Sequence, residues 1–184
     1  MADYSTRDIE ILFDTLENPL QPNSALLEAA QEYLALTTRT ISIASGYFNP
    51  VHKGHLELFE RAKMISDVLV VIVNNDFQRE LKGSKKFQDE EERIKIISSL
   101  RTVNHAELSI DEDRSVRLSL EMVYHKYKEI YPNPDLKFLF VNGGDQFSQS
   151  VAEKEICERL GIEMVDSMGA KIQSSSSLLS NSPL

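Results

Sequence analysis

Tryptophan is absent from the chain and cysteine occurs once, as Cys157. A lone cysteine closes no internal disulfide. Its setting, Ile156-Cys157-Glu158-Arg159-Leu160, marks a buried or half-buried helix position rather than a nucleophile. Long apolar runs are also missing. Nothing approaches the roughly 20 residues of a membrane span, and Asp3, Arg7, Asp8 and Glu10 stand where a signal peptide carries its apolar centre. The expectation is a soluble, cytoplasmic protein with no membrane partner. Positive charge is scarce: 20 Lys and Arg face 29 Asp and Glu, a formal net charge of −9. Nucleic acid and anionic lipid select basic surfaces, so neither is an expected partner. An anionic substrate has to be met by a local group of cations.

The 184 residues suffice for one core of ordinary size. From residue 40 onward, short β-branched runs alternate with helical patterns. Strands are expected at Thr40 to Ala44, Val68 to Val73, Ala106 to Ile110, Leu136 to Val141 and Glu163 to Val165. Helices are expected at His55 to Met64, Asp89 to Leu100, Ser115 to Ile130, Ser150 to Leu160 and Ser174 to Leu179. The runs Val68-Leu69-Val70-Val71-Ile72-Val73 and Phe138-Leu139-Phe140-Val141 are apolar on both faces, as central strands covered on each side by helices must be. The βα repetition predicts an α/β, Rossmann-like doubly wound parallel sheet over residues 39–184. Residues 1–38 differ, with two helical patterns broken at Asn18-Pro19 to Pro22, and read as an N-terminal helical extension packed on the domain or on a partner subunit.

In a doubly wound sheet, ligands sit beyond the carboxyl ends of the strands. Three polar or glycine-bearing segments are expected there: Gly46 to His55, Asn74-Asn75-Asp76, and Asn142-Gly143-Gly144-Asp145. The serine cluster Ser174 to Ser177 precedes the expected terminal helix.

The segment Gly46-Tyr47-Phe48-Asn49-Pro50-Val51-His52-Lys53-Gly54-His55 joins an apolar strand to an amphipathic helix. Gly46 permits an unusual backbone or a close approach, Pro50 stiffens the loop, and Gly54 removes a side chain beside the first helical turn. Free backbone N–H groups at the helix start and two imidazoles together suit an anion. Zinc is disfavoured, because His105, His125 and Cys157 complete no recognisable ligand set. Arg79, Lys82, Lys85 and Lys86 fall within eight residues around Gly83-Ser84, which suggests a mobile cationic loop.

These motifs resemble the cytidylyltransferase-like nucleotidyltransferases, whose signature is Gly-x-Phe-Asp-x-x-His-x-Gly-His. Val73-Asn74-Asn75-Asp76, Leu81-Lys82-Gly83, Glu91-Glu92-Arg93, Asn142-Gly143-Gly144-Asp145 and Ser174-Ser175-Ser176 follow in the family's order. The likeness covers about residues 40 to 180 and is nearest to glycerol-phosphate cytidylyltransferases and the adenylyltransferase domain of ADP-heptose synthase. Asn49 replaces the usual aspartate, Tyr47 a usually small residue, and no arginine follows the serines.

The resemblance implies transfer of AMP or CMP from ATP or CTP to a small phosphorylated acceptor, with release of pyrophosphate. It assigns His52, His55, Lys82 and Arg93 to catalysis, with Lys85 or Lys86 as substitutes for Lys82. Gly46, Tyr47, Phe48, Asn49, Gly54, Asn142, Gly143, Gly144, Asp145, Ser174, Ser175 and Ser176 would bind the nucleotide. Mg²⁺ is expected on the triphosphate, without a protein metal cage, and the protein is expected to be a homodimer. The competing expectation is a nucleotide-binding sensor or scaffold without turnover. A Rossmann oxidoreductase is disfavoured, since no Gly-x-Gly-x-x-Gly follows the first strand.

Overall fold

The computed structural model describes residues 24–143 and 152–166. Along these, helix α1 (Ser24–Thr37) leads into β1 (Thr40–Gly46), α2 (Lys53–Met64) and β2 (Val68–Val73). Then come α3 (Asp76–Leu81), α4 (Glu90–Ser98), β3 (His105–Leu108), α5 (Arg117–Ile130), β4 (Lys137–Val141), α6 (Lys154–Leu160) and β5 (Glu163–Val165). The five strands pair in parallel in the order β3-β2-β1-β4-β5. β1 lies between β2 and β4, with Ile43 opposite both Val70 and Phe140. The chain reverses direction across the sheet there, and this opens a crevice beyond the end of β1.

β2 shows why the sheet is covered on both faces. Val68, Val70 and Ile72 pack with Leu120, Val123 and Tyr127 of α5 and with Ile156 and Cys157 of α6. The alternate residues Leu69, Val71 and Val73 pack with Phe59 and Ala62 of α2 and Ile97 of α4. Burying one such aliphatic side chain is worth about 1.5–3 kcal/mol. Cys157 is fully buried, and burial, helped by Glu153 and Glu158, pushes its thiol up to about 12. It is therefore un-ionised at neutral pH and serves as a packing residue.

One expectation changes. The stretch expected to be a mobile cationic loop begins as a helix, α3. Asn75 caps it, its Oδ1 accepting from Gln78 N at 2.8 Å while Gln78 Oε1 accepts from Asn75 N at 3.1 Å. Arg79 leaves the cationic group altogether: it is buried, bonded through Nε to Asp76 Oδ1 (3.3 Å) and through Nη1 to Ser84 O (3.0 Å). In α1, Tyr33 and Leu36 are exposed, and Asn133 Nδ2 donates to Leu36 O at 2.8 Å. The first helical pattern of the extension and the expected Ser174 to Leu179 helix lie outside the described residues. No helix among the described residues is long and apolar enough to cross a membrane.

Candidate functional site

β1 ends at Gly46, and a short turn delivers the chain to α2 at Lys53. A Cβ at Gly46 would lie 2.9 Å from the Phe48 ring, so this position has room for glycine alone. Phe48 adopts φ +48°, a left-handed conformation that costs an L residue roughly 1–2 kcal/mol. Burial of its ring offsets that strain. The ring is 1% exposed, lies edge-on to His55 at 4.9 Å and packs against Phe59 at 5.4 Å. Phe48 is thus the floor of the site, not part of the wall a nucleotide would touch.

His52 caps α2 and His55 sits in its first turn, where Gly54 also lies. The imidazoles stack with centroids 3.6 Å apart and planes 19° apart. His52 N donates to His55 Nδ1 at 3.3 Å, and His55 N donates to His52 O at 2.9 Å. Burial, then the charges of His52 and Lys82, lower the His55 pKa to about 3. A neutral ring whose Nδ1 accepts must carry its proton on Nε2. Desolvation lowers His52 as well, against an opposing backbone hydrogen bond. Its Nδ1 is buried without a hydrogen-bond partner among the described residues, which leaves Nε2 as the ring nitrogen available to a ligand. The pair offers N–H donors rather than two positive charges.

Lys82 follows α3, and its Nζ lies 4.1 Å from the centroid of the Tyr47 ring. Desolvation, then the charge of Arg114, lowers its pKa. Sequence reasoning did not single out Arg114, whose Nη2 donates to Leu81 O and whose charge is felt at Lys82. It comes from the segment between β3 and α5, far along the chain, and carries no local motif.

Asn49 is 1% exposed and belongs to the loop's internal bracing. Its Nδ2 donates to Lys85 O at 2.8 Å, and its Oδ1 accepts from Phe87 N (3.2 Å) and Gln88 N (3.1 Å). With these groups engaged, the side chain clamps the lysine loop instead of facing a base or acceptor. A carboxylate here would have no proton to give Lys85 O.

Arg93 is 0% exposed and also lies beneath the site. Its Nη1 donates to Tyr47 O (2.8 Å) and Asn74 O (2.6 Å), and its Nη2 to Asp76 Oδ1 (2.8 Å). The resemblance assigns Arg93 to catalysis, and the structure spends both its terminal nitrogens on this buried junction. One guanidinium thereby joins the loop after β1, the loop after β2 and the start of α3. At Asp76, desolvation raises the pKa, but hydrogen bonds from Arg93 and Arg79 outweigh it and the net shift is downward.

Beyond β4, Asn142 is buried and donates through Nδ2 to Asp166 Oδ1 at 3.2 Å, fastening β4 to the end of β5. Gly143 follows, where a Cβ would meet Leu58 Cδ2 at 3.2 Å. Gly144, Asp145, Ser174, Ser175 and Ser176 lie outside the described residues. Among the described residues no group of three His, Cys, Asp or Glu side chains can hold a metal. The structure brings together Gly46, Tyr47, His52, His55 and Lys82 above a buried layer of Phe48, Asn49 and Arg93. Neutral N–H donors beside an ammonium at a sheet's switch point are suited to a polyanion.

The chain is 28% identical over 172 residues to the bifunctional protein HldE of Syntrophotalea carbinolica, covering 88% of this chain and 32% of that one. It is 31% identical over 131 residues to the HldE protein of Geobacter metallireducens, covering 69% of this chain and 24% of that one. The chain thus spans about a third or less of the length of these relatives. A third relative, the FAD synthase of Thermoplasma acidophilum, is 28% identical over 135 residues, 65% of this chain and 95% of that one. A lipopolysaccharide core biosynthesis protein of Thermoplasma volcanium superposes with a TM-score of 0.49 at 23% identity, over 70% of this chain and 95% of that one. The cytidylyltransferase-like family model matches residues 43–172, well over half of the chain and all of the site described above, so the chain belongs to the cytidylyltransferase-like family of nucleotidyltransferases.

Proposed function

We propose that the chain transfers a nucleotidyl group from ATP or CTP to a small phosphorylated acceptor such as a sugar, polyol or amino-alcohol phosphate. The observation that carries this reading is the neutral His55, whose Nδ1 is filled by His52 N and whose Nε2–H is left to a phosphate oxygen. An oxygen of the acceptor phosphate attacks the α-phosphorus, forming a phosphoanhydride. The bond from the α-phosphorus to its bridging oxygen breaks, and the electron pair leaves with pyrophosphate. The attacking oxygen is already an anion, so no strong general base is needed. The protein's tasks are alignment, worth up to about 7–11 kcal/mol, and stabilisation of charge on the bridging oxygen.

His52 and His55 donate to the phosphates, and Lys82 supplies the cation between donor and acceptor. Arg93 acts as a positioning residue through Tyr47, Asn74 and Asp76. Gly143, Gly144 and Asp145 are assigned to the nucleoside, and Ser174 to Ser176 to the β- and γ-phosphates. The donor set of imidazoles and an ammonium fits a Mg²⁺ held by the triphosphate's own oxygens, where it would neutralise charge. The resemblance of Leu81-Lys82-Gly83 and Asn142 to Asp145 to the adenylyl-transferring type, and an FAD synthase among the relatives, favour ATP as donor. A cytoplasmic homodimer with residues 1–38 as an extension completes the proposal.

Pyrophosphate release over a grid of ATP and CTP against sugar, polyol and amino-alcohol phosphates tests it. Release is expected for one pairing, with turnover lost in His52→Ala and His55→Ala while the circular dichroism of the folded protein persists. Nucleotide binding without release across the grid would replace transfer with sensing.

A further inference from the structure

The backbone of Lys82 is pinned at the end of α3, where its N–H donates to Gln78 O at 3.0 Å. Its side chain is exposed and gains no order from that bond, because a lysine ammonium rides on a flexible stem. What holds the ammonium is the Tyr47 ring, whose centroid lies 4.1 Å from Nζ. Two other lysines stand over tyrosine rings, Lys126 over Tyr127 at 5.5 Å and Lys128 over Tyr124 at 5.3 Å. Each of those pairs joins near neighbours on α5 and follows from the helix itself. The Tyr47 contact is shorter and joins the loop after β1 to the end of α3, so the fold has to bring it about.

Electrostatics show what the ring works against. Partial desolvation, then the charge of Arg114, lowers the Lys82 pKa, and both favour an ammonium turned out into water. Arg114 is itself tied close by, its Nη2 donating to the carbonyl of Leu81. The negative face of an aromatic ring attracts a cation and opposes these two effects. The Tyr47 phenol is un-ionised at neutral pH, since desolvation raises its pKa, with Arg114 opposing and Glu153 adding. The ring also stands on a fixed base. Tyr47 O accepts from Arg93 Nη1 at 2.8 Å, and the adjoining Phe48 is buried. In this position Lys82 is near enough to the histidine pair for its charge to lower His55.

We propose that Tyr47 is the positioning residue of Lys82, its ring holding the ammonium beside His52 and His55 where a polyphosphate binds. The kinetic consequence rests on the transfer reading above, and the placement of the ammonium does not.

The full chain, carrying lysine labelled with ¹³C at Cε and with Lys82→Arg to assign the signal, reads the contact by NMR. Protons over an aromatic face are shielded. The Lys82 ε-methylene signal is therefore expected upfield of the other lysines, and it should shift yet stay upfield when ATP or CTP is added with Mg²⁺. Tyr47→Leu should abolish the shielding and Tyr47→Phe keep it. An unshielded Lys82 in the wild type, or a signal unmoved by either nucleotide, overturns the proposal. Shielding lost on adding nucleotide also overturns it, by making the ring a resting place that the ammonium leaves. Pentafluorophenylalanine in place of Tyr47 keeps the bulk of the ring and reverses its charge distribution, which a purely structural role would not register. In the pyrophosphate assay that variant and Tyr47→Leu should lower kcat about two- to fivefold with the nucleotide KM unchanged, and Tyr47→Phe should match the wild type. Equal kcat for the phenylalanine and pentafluorophenylalanine variants overturns the positioning role. A wild type that releases no pyrophosphate but keeps Lys82 shielded with nucleotide bound refutes transfer and leaves the placement of Lys82 standing.

Discussion

Asn49 and Lys85 are joined by a 2.8 Å hydrogen bond from the amide Nδ2 to the backbone carbonyl. The same side chain receives Phe87 N and Gln88 N on its oxygen, so the lysine-bearing loop is docked on the histidine loop at three points. One of the positions that depart from the family signature is therefore where the histidine loop and the lysine loop are held in register.

Replacing Asn49 with Asp should test that bracing. A carboxylate retains the two accepted bonds but sets oxygen against the Lys85 carbonyl, at a cost of about 1–3 kcal/mol for the unmade bond. The expected result is a fold that survives, a rise of about tenfold in nucleotide KM, and faster amide exchange at Phe87 and Gln88. Unchanged exchange would remove the clamp from the account.

Arg93→Met removes one partner of an ion pair, takes the guanidinium donor from Tyr47 O and Asn74 O, and leaves Asp76 Oδ1 with Arg79 Nε. Urea unfolding should show a loss of about 3–5 kcal/mol. Arg93→Lys, which keeps the charge and forfeits the fork, is expected to recover only part. A loss below about 1 kcal/mol in Arg93→Met would mean the junction carries little.

The imidazole of His55 resists protonation until about pH 3, against an ordinary value of 6.5. Between those values the unfolded chain binds a proton that the folded chain refuses. Stability therefore falls as pH drops from 6.5 toward 3. His55→Gln should flatten this acid limb when urea midpoints are measured across pH, and parallel curves for variant and wild type would contradict the buried neutral ring. For the same reason, His55 contributes no ionisation to the rate profile near pH 6.5.

Gly46→Ala sets a Cβ 2.9 Å from the Phe48 ring. Overpacking of this kind costs about 1–3 kcal/mol, read as a lowered Tm. Adding Phe48→Leu should relieve the collision, so a double variant less stable than the sum of its parts would place the strain elsewhere.

β2 was legible because six apolar residues in a row leave a parallel, doubly covered strand as the natural reading, and it is found at Val68–Val73. The histidine pair was legible because a strand, a turn and a helix start are all encoded within a few residues. α3 was not, although the spacing of Asn75 and Gln78 is a capping pattern, since six residues are too few for a helical period to show. Arg79, read as a surface cation, is buried by Asp76 three residues earlier, and Arg93 by backbone carbonyls from two distant loops. Arg114 and the clamping role of Asn49 depend on contacts 33 or more residues apart, which periodicity does not record.

Phe48 belongs at once to the histidine loop and to the packed layer of Phe59, Leu58 and Val71. A loop anchored this way has no private melting transition. Loosening it would draw an aromatic ring out of the interior, at a cost comparable to opening that side of the sheet. Assembly of the loop and folding of the sheet are then one cooperative event.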